Sequence, residues 1–155
     1  MPAGENVTFL IVDDDEVAIM GMRRAIKKLD LCNPVEVARN GEEALEKLRT
    51  EPNGVKRPFL VTLDLNMPRM GGLQFLEEVR QDPNLHDAII FVMTTSDAPK
   101  DITAAYDRNI AGYILKDNAV ETLARALNLL WDYSDTVTFP GTPVREGEQM
   151  RQAQG

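Results

Sequence analysis

The chain has 155 residues, 43% of them apolar, with 17 basic against 25 acidic side chains and a net charge of -8. That length suits one domain with a full hydrophobic core, and the acidic balance argues against a general nucleic-acid binder, which would carry a basic face. No apolar run approaches the roughly 20 residues of a membrane span, and residues 1–8 lack the basic and apolar regions of a secretory signal. Cys32 is the single cysteine. An internal disulfide is therefore impossible, and a reducing cytoplasm is the expected compartment. Cys32 itself reads as a buried small hydrophobe. His86, alone in the loop-like stretch from Pro83 to Asp87, is not expected to bind metal or catalyse.

Phe9 to Val12 is a short apolar run that predicts a strand buried on both faces. Four acids, Asp13 to Glu16, follow without a gap. A helix comes next, with Val17, Met20, the Arg24/Ala25 region and Leu29 read as its inward face, broadened by Met22 and Ile26. Pro34 opens a second extended piece, Val35 to Ala38, that ends at the Asn40-Gly41 turn signal. Glu42 to Arg49 is helical with Ala44, Leu45 and Leu48 inward, and the Pro52-Asn53-Gly54 cluster stops it.

Phe59 to Leu63 predicts a buried strand, interrupted by Thr62 and closed by a single carboxylate, Asp64. Pro68, Gly71 and Gly72 break the chain before an amphipathic helix carrying Leu73, Phe75, Leu76 and Val79. Ala88 to Met93 is the next apolar run and ends in Thr94-Thr95-Ser96. A weaker helix lies between Asp97 and Asn109, with Ile102, Ala105 and Tyr106 apolar. Gly112 to Leu115 reads as a strand ending in Lys116. Val120 to Tyr133 reads as a helix burying Leu123, Leu127, Leu130 and Trp131.

Strands alternating with helices imply an α/β fold: a parallel sheet with right-handed crossovers and helices on both faces. The carboxyl ends of the strands then share one edge. That edge gathers Asp13, Asp14, Asp64, Thr94 and Lys116. Close carboxylates repel unless a cation intervenes, and an all-oxygen site suits Mg²⁺. A free carboxylate could attack phosphorus and become an acyl phosphate. Asp64 fits that role, because Asp13 and Asp14 are adjacent and better suited as a metal pair. Lys116 and the Thr94 hydroxyl could bind phosphoryl oxygens.

On these residues the chain resembles the receiver domain of two-component response regulators. The resemblance rests on the acid pair Asp13-Asp14, on Leu63-Asp64-Leu65-Asn66-Met67-Pro68 with Gly71-Gly72, on Thr94, and on Gly112-Tyr113 with Lys116. It implies a flavodoxin-like (βα)5 doubly wound sheet of order 2-1-3-4-5 and Mg²⁺-dependent phosphoryl transfer from a histidine kinase to Asp64. The implied metal ligands are Asp13, Asp64 and the backbone carbonyl of Asn66, with Asp14 acting through a water. Thr94 and Tyr113 carry over as a switch pair. On this reading the chain is a phosphoacceptor that assists its own phosphorylation and dephosphorylation, not an enzyme. One position departs from the pattern: Asp117 stands where receivers usually have Pro after the Lys. A cis bond there would cost about 3 kcal/mol without proline, so a trans bond and an altered loop are expected.

The expected domains are a receiver over 7–133 and a C-terminal extension over 134–155, too short for an output domain. Val137, Phe139 and Val144 suggest an arm that docks on a second subunit, giving a homodimer through the fifth helix and the extension. The chain is also similar to single-domain receivers that work with bacterial phytochrome-type kinases. Two other readings stay open: a phosphorylation-independent pseudo-receiver, and an aspartyl-phosphate hydrolase. The hydrolase is disfavoured because Asn66 replaces the second acid such enzymes usually carry.

Overall fold

The computed structural model describes residues 7–49, 58–116 and 120–140, with only the backbone described at 120–122. Asp117 and Val144, which carried expectations above, lie outside the described residues. Strands β1 (Thr8–Val12), β2 (Val35–Ala38), β3 (Phe59–Leu63), β4 (Ile89–Thr94) and β5 (Gly112–Leu115) alternate with helices α1 (Glu16–Lys28), α2 (Gly41–Arg49), α3 (Gly72–Gln81), α4 (Pro99–Asp107) and α5 (Val120–Thr136). The strands are parallel in the order β2-β1-β3-β4-β5. The sheet is flavodoxin-like, as expected.

Alternation along each strand splits the core in two. Leu10, Val12, Val61, Leu63, Ile90 and Val92 face α2, α3 and α4, which contribute Leu45, Leu48, Phe75, Leu76, Val79 and Ala105. Phe9, Ile11, Leu60, Phe91 and Met93 face α1 and α5. Thr62 lies on this second face, and its buried hydroxyl has no hydrogen-bond partner.

Four expectations need correction. The buried face of α1 is Ile19, Met22 and Ile26, while Val17 and Met20 are 79% and 48% exposed. The helix carries two apolar stripes; the sheet takes the one that continues to Leu29 without crossing a charged residue. Cys32 is exposed, not buried. Its neighbour Asn33 takes the interior place and donates from its side chain to the Val7 carbonyl at 2.8 Å. Trp131, expected on the buried face of α5, is only half-buried.

The fourth correction concerns the end of the chain. α5 runs to Thr136, three residues beyond the expected boundary. Phe139, expected to reach a second subunit, is 4% exposed and packs in the second core of its own chain. Its ring meets Tyr133 edge-on, and Tyr133 meets Phe91 of β4 in the same way, with centroids 5.9 and 5.0 Å apart.

Candidate functional site

The rim is built by register. Val12 stands opposite Leu63, so the next residues, Asp13 and Asp64, leave their strands side by side. Backbone bonds carry the ladder one rung further: Asp13 N–H donates to Ala38, and Asp64 N–H donates to Val12 at 2.9 Å. β1 and β3 are also where the winding of the sheet reverses, the usual crevice of an open α/β sheet. Lys116 is held by its backbone N–H, which donates to the Thr94 carbonyl at 2.7 Å.

Glycine shapes the far wall. A Cβ on Gly72 would sit 2.5 Å from the Asp64 carbonyl oxygen and 2.7 Å from the Leu65 Cα. The first turn of α3 therefore lies directly on the backbone that follows Asp64. Arg69, at φ 61°, makes the left-handed step that turns the chain toward α3.

The side chains converge. Asp13 and Asp64 are 4% and 6% exposed, and Thr94 is fully buried. The Thr94 hydroxyl donates to Asp64 Oδ1 at 2.8 Å. Lys116 Nζ donates to Asp13 Oδ2 at 2.7 Å and to Asp64 Oδ2 at 3.4 Å. Asp13 and Asp64 each also accept from a backbone N–H two residues on, Asp15 and Asn66. The structure thus brings together Asp13, Asp14, Asp64, Thr94 and Lys116, all predicted from strand ends.

The electrostatics follow from burial. Loss of water pushes the Asp13 carboxyl above its ordinary range, against the hydrogen bonds from Lys116 and Asp15. Burial also works against the Lys116 charge, but the bond to Asp13 and the charges of Asp13 and Asp64 outweigh it and raise the pKa. Lys116 keeps more water than Asp13, so the two carboxylates prevail there.

Carboxylate oxygens of Asp13, Asp14 and Asp64 lie within 4.8 Å of one another. Three acids against one ammonium leave negative charge, and the donors are all hard oxygens. That donor set fits a divalent cation such as Mg²⁺. The backbone carbonyl of Asn66 follows Asp64 on the same loop.

Tyr113 packs partly against the first core. Its hydroxyl donates to the Ser96 carbonyl at 2.7 Å. Burial raises its pKa, and the charges of Asp101, Asp64 and Asp97 add to it. Ser96 Oγ in turn donates to Asp101 Oδ2 at 2.6 Å. Sequence reasoning did not find Asp101. The available signal was an acid in the first turn of a helix opened by Pro99.

A five-stranded sheet of this order, with an acid pair, a lone acid, a hydroxyl and a lysine on one rim, defines a receiver. The chain belongs to the response regulator receiver domain family, whose pattern it matches over residues 9–128. Among its relatives is the probable methanogenesis regulatory protein FilR2 of Methanothrix harundinacea, 29% identical over 86% of each chain. Of solved structures, the phosphorylated cyanobacterial phytochrome response regulator RcpA superposes with a TM-score of 0.79 at 29% identity, covering 88% of this chain and 99% of that one. The Mn²⁺-bound form of response regulator Rcp1 gives 0.76 at 27% identity, covering 87% and 99%; Rcp1 is a protein of Synechocystis. Among the described residues no helix is long and apolar enough to cross a membrane.

Proposed function

We propose that this chain accepts a phosphoryl group on Asp64 from a histidine kinase in a Mg²⁺-dependent reaction, and signals by changing its protein contacts. The observation that carries this is the pair of donors on one buried carboxylate: Thr94 Oγ1 on Asp64 Oδ1 and Lys116 Nζ on Oδ2, beside Asp13. An Asp64 oxygen forms the new P–O bond as the P–N bond of the kinase phosphohistidine breaks, and the imidazole departs with the electron pair. Asp13, Asp64 and the Asn66 carbonyl would hold a Mg²⁺ ion, with Asp14 acting through a water, and the ion would offset the charge of the phosphoryl oxygens. Lys116 and the Thr94 hydroxyl then turn from the carboxylate to the phosphoryl oxygens. As Thr94 moves, Tyr113 follows, and the surface between α4 and β5 changes.

Val17 and Met20 support docking of a partner at this rim. They are exposed apolar residues in the first turns of α1, which begins directly after the acids. Similarity to the phytochrome response regulator RcpA favours a kinase of the phytochrome type. A homodimer would use the exposed Leu129 of α5 and the segment beyond residue 140, since Phe139 is already engaged in its own chain. The proposed domains are a receiver over 7–133 and an extension over 134–155, from which Phe139 packs into the second core.

Incubation with acetyl phosphate and Mg²⁺, read by intact mass, tests the core of this reading. The wild type gains one phosphoryl group and Asp64→Asn does not. A folded wild type that gains none leaves an interaction module that works without phosphorylation.

A further inference from the structure

Ser96 sits at a junction. Its backbone N–H lies 3.4 Å from Thr94 Oγ1, the hydroxyl that donates to Asp64. Its carbonyl accepts the Tyr113 hydroxyl at 2.7 Å. Its own hydroxyl donates to Asp101 Oδ2 at 2.6 Å, a length typical of a hydrogen bond to a charged acceptor. Three elements therefore meet at one loop residue: the end of β4, the first turn of α4 and β5. Asp101 is the member that belongs to α4.

Backbone bonds from the Asp101 and Ile102 N–H groups to the Ala98 carbonyl begin α4. Its N-cap is Ala98, which offers no side-chain acceptor to the helix. A carboxylate in the first turn is favoured there by the helix dipole, so Asp101 suits α4 by itself. It spends one oxygen instead on Ser96, five residues back and outside the helix.

We propose that Asp101 is a positioning residue: through the Ser96 hydroxyl it holds the β4–α4 loop so that the Thr94 hydroxyl stays on the Asp64 carboxylate and the Tyr113 hydroxyl keeps its acceptor. α4 and the acid rim are thereby mechanically joined. Movement of Thr94 toward a phosphoryl group pulls on Ser96, and Ser96 pulls on the first turn of α4. This inference rests on Asp64 being the phosphoacceptor, and its test separates the two.

The experiment compares wild type, Asp101→Ala, Asp101→Asn, Ser96→Ala and the Asp101→Ala/Ser96→Ala double variant. Two readouts are taken: the rate of acetyl phosphate labelling, and deuterium uptake of the peptide spanning residues 94–102. Asp101→Ala is expected to slow labelling about fivefold and to raise uptake of that peptide. Asp101→Asn still offers an oxygen to Ser96 and stays within about twofold of wild type. In the Ser96→Ala background the Asp101 substitution adds nothing, because the shared bond is already gone. Labelling and uptake at wild-type levels in Asp101→Ala overturn the proposal. So does an equal further loss in the Ser96→Ala background, which would mark a general effect on α4. A wild type that never labels, yet shows the non-additive uptake, refutes the phosphoacceptor reading and leaves the Asp101 link standing.

Discussion

Asp13 loses nearly all its water on folding and sits among other acids. Its folded pKa is raised by burial, so the folded chain holds that proton more tightly than the unfolded chain does. The stability this contributes is present at acid pH and is lost as pH rises through the folded value. At neutral pH without metal, the Asp13 charge therefore opposes folding. Asp13→Asn should raise metal-free stability, because it removes one of the mutually repelling acids, with Lys116 still paired to Asp64. The same variant should lose most of the stabilisation that millimolar Mg²⁺ gives the wild type. Urea unfolding with and without Mg²⁺ checks both; an unchanged or lower metal-free midpoint contradicts the electrostatic argument. At this scale the rim was legible in the sequence, because each of its residues ends a strand or lies one or two positions beyond one. Cys32 and Asn33 were not legible. Both sit in a connection with no period, and which one turns inward depends on the Val7 carbonyl, 26 residues away.

Helix α3 shows how an element can set the site without contributing a functional group. Its first residue, Gly72, presses on the backbone of Asp64 and Leu65, and those atoms cannot rotate out of the way. Gly72→Ala should cost about 2–3 kcal/mol, as overpacking does, and should also slow labelling of Asp64 by moving the loop behind it. Gly71→Ala makes a fair control. A Cβ there meets only ordinary contact at 3.4 Å, and the loss of a glycine N-cap costs at most about 1 kcal/mol. Chemical denaturation of both variants decides it; equal losses would show that the close approach is unimportant. The Gly71-Gly72 pair was readable as a helix start, but the need for glycine at the second position was not. The phase of α1 was also misjudged from pattern alone. Two apolar stripes on one helix both satisfy a period of 3.6, and only the sheet selects between them.

For the molecule as a whole, Phe139 closes the second core through the edge-on contacts with Tyr133. Phe139→Ala should cost about 3 kcal/mol, typical for a buried aromatic, while Val137→Ala, at a residue 38% exposed, should cost far less. If the ring sits in its own chain, the Phe139→Ala loss is the same at micromolar and at hundredfold higher protein concentration. A loss that grows with concentration would mean the segment is exchanged between chains. Trp131 fluorescence follows the unfolding. The order of residues alone was enough to read five strands alternating with five helices and to put Asp13, Asp64, Thr94 and Lys116 on one edge. Those follow from local pattern, in which apolar runs, breakers and the residue after each run lie within a few positions of one another. Packing in three dimensions selected which stripe of α1 is buried, where Phe139 goes, and that Ser96 ties Asp101 to Tyr113. The buried face of α1, the Phe139–Tyr133–Phe91 stack and the Ser96–Tyr113 bond each need an element from a distant part of the chain, which local pattern does not contain.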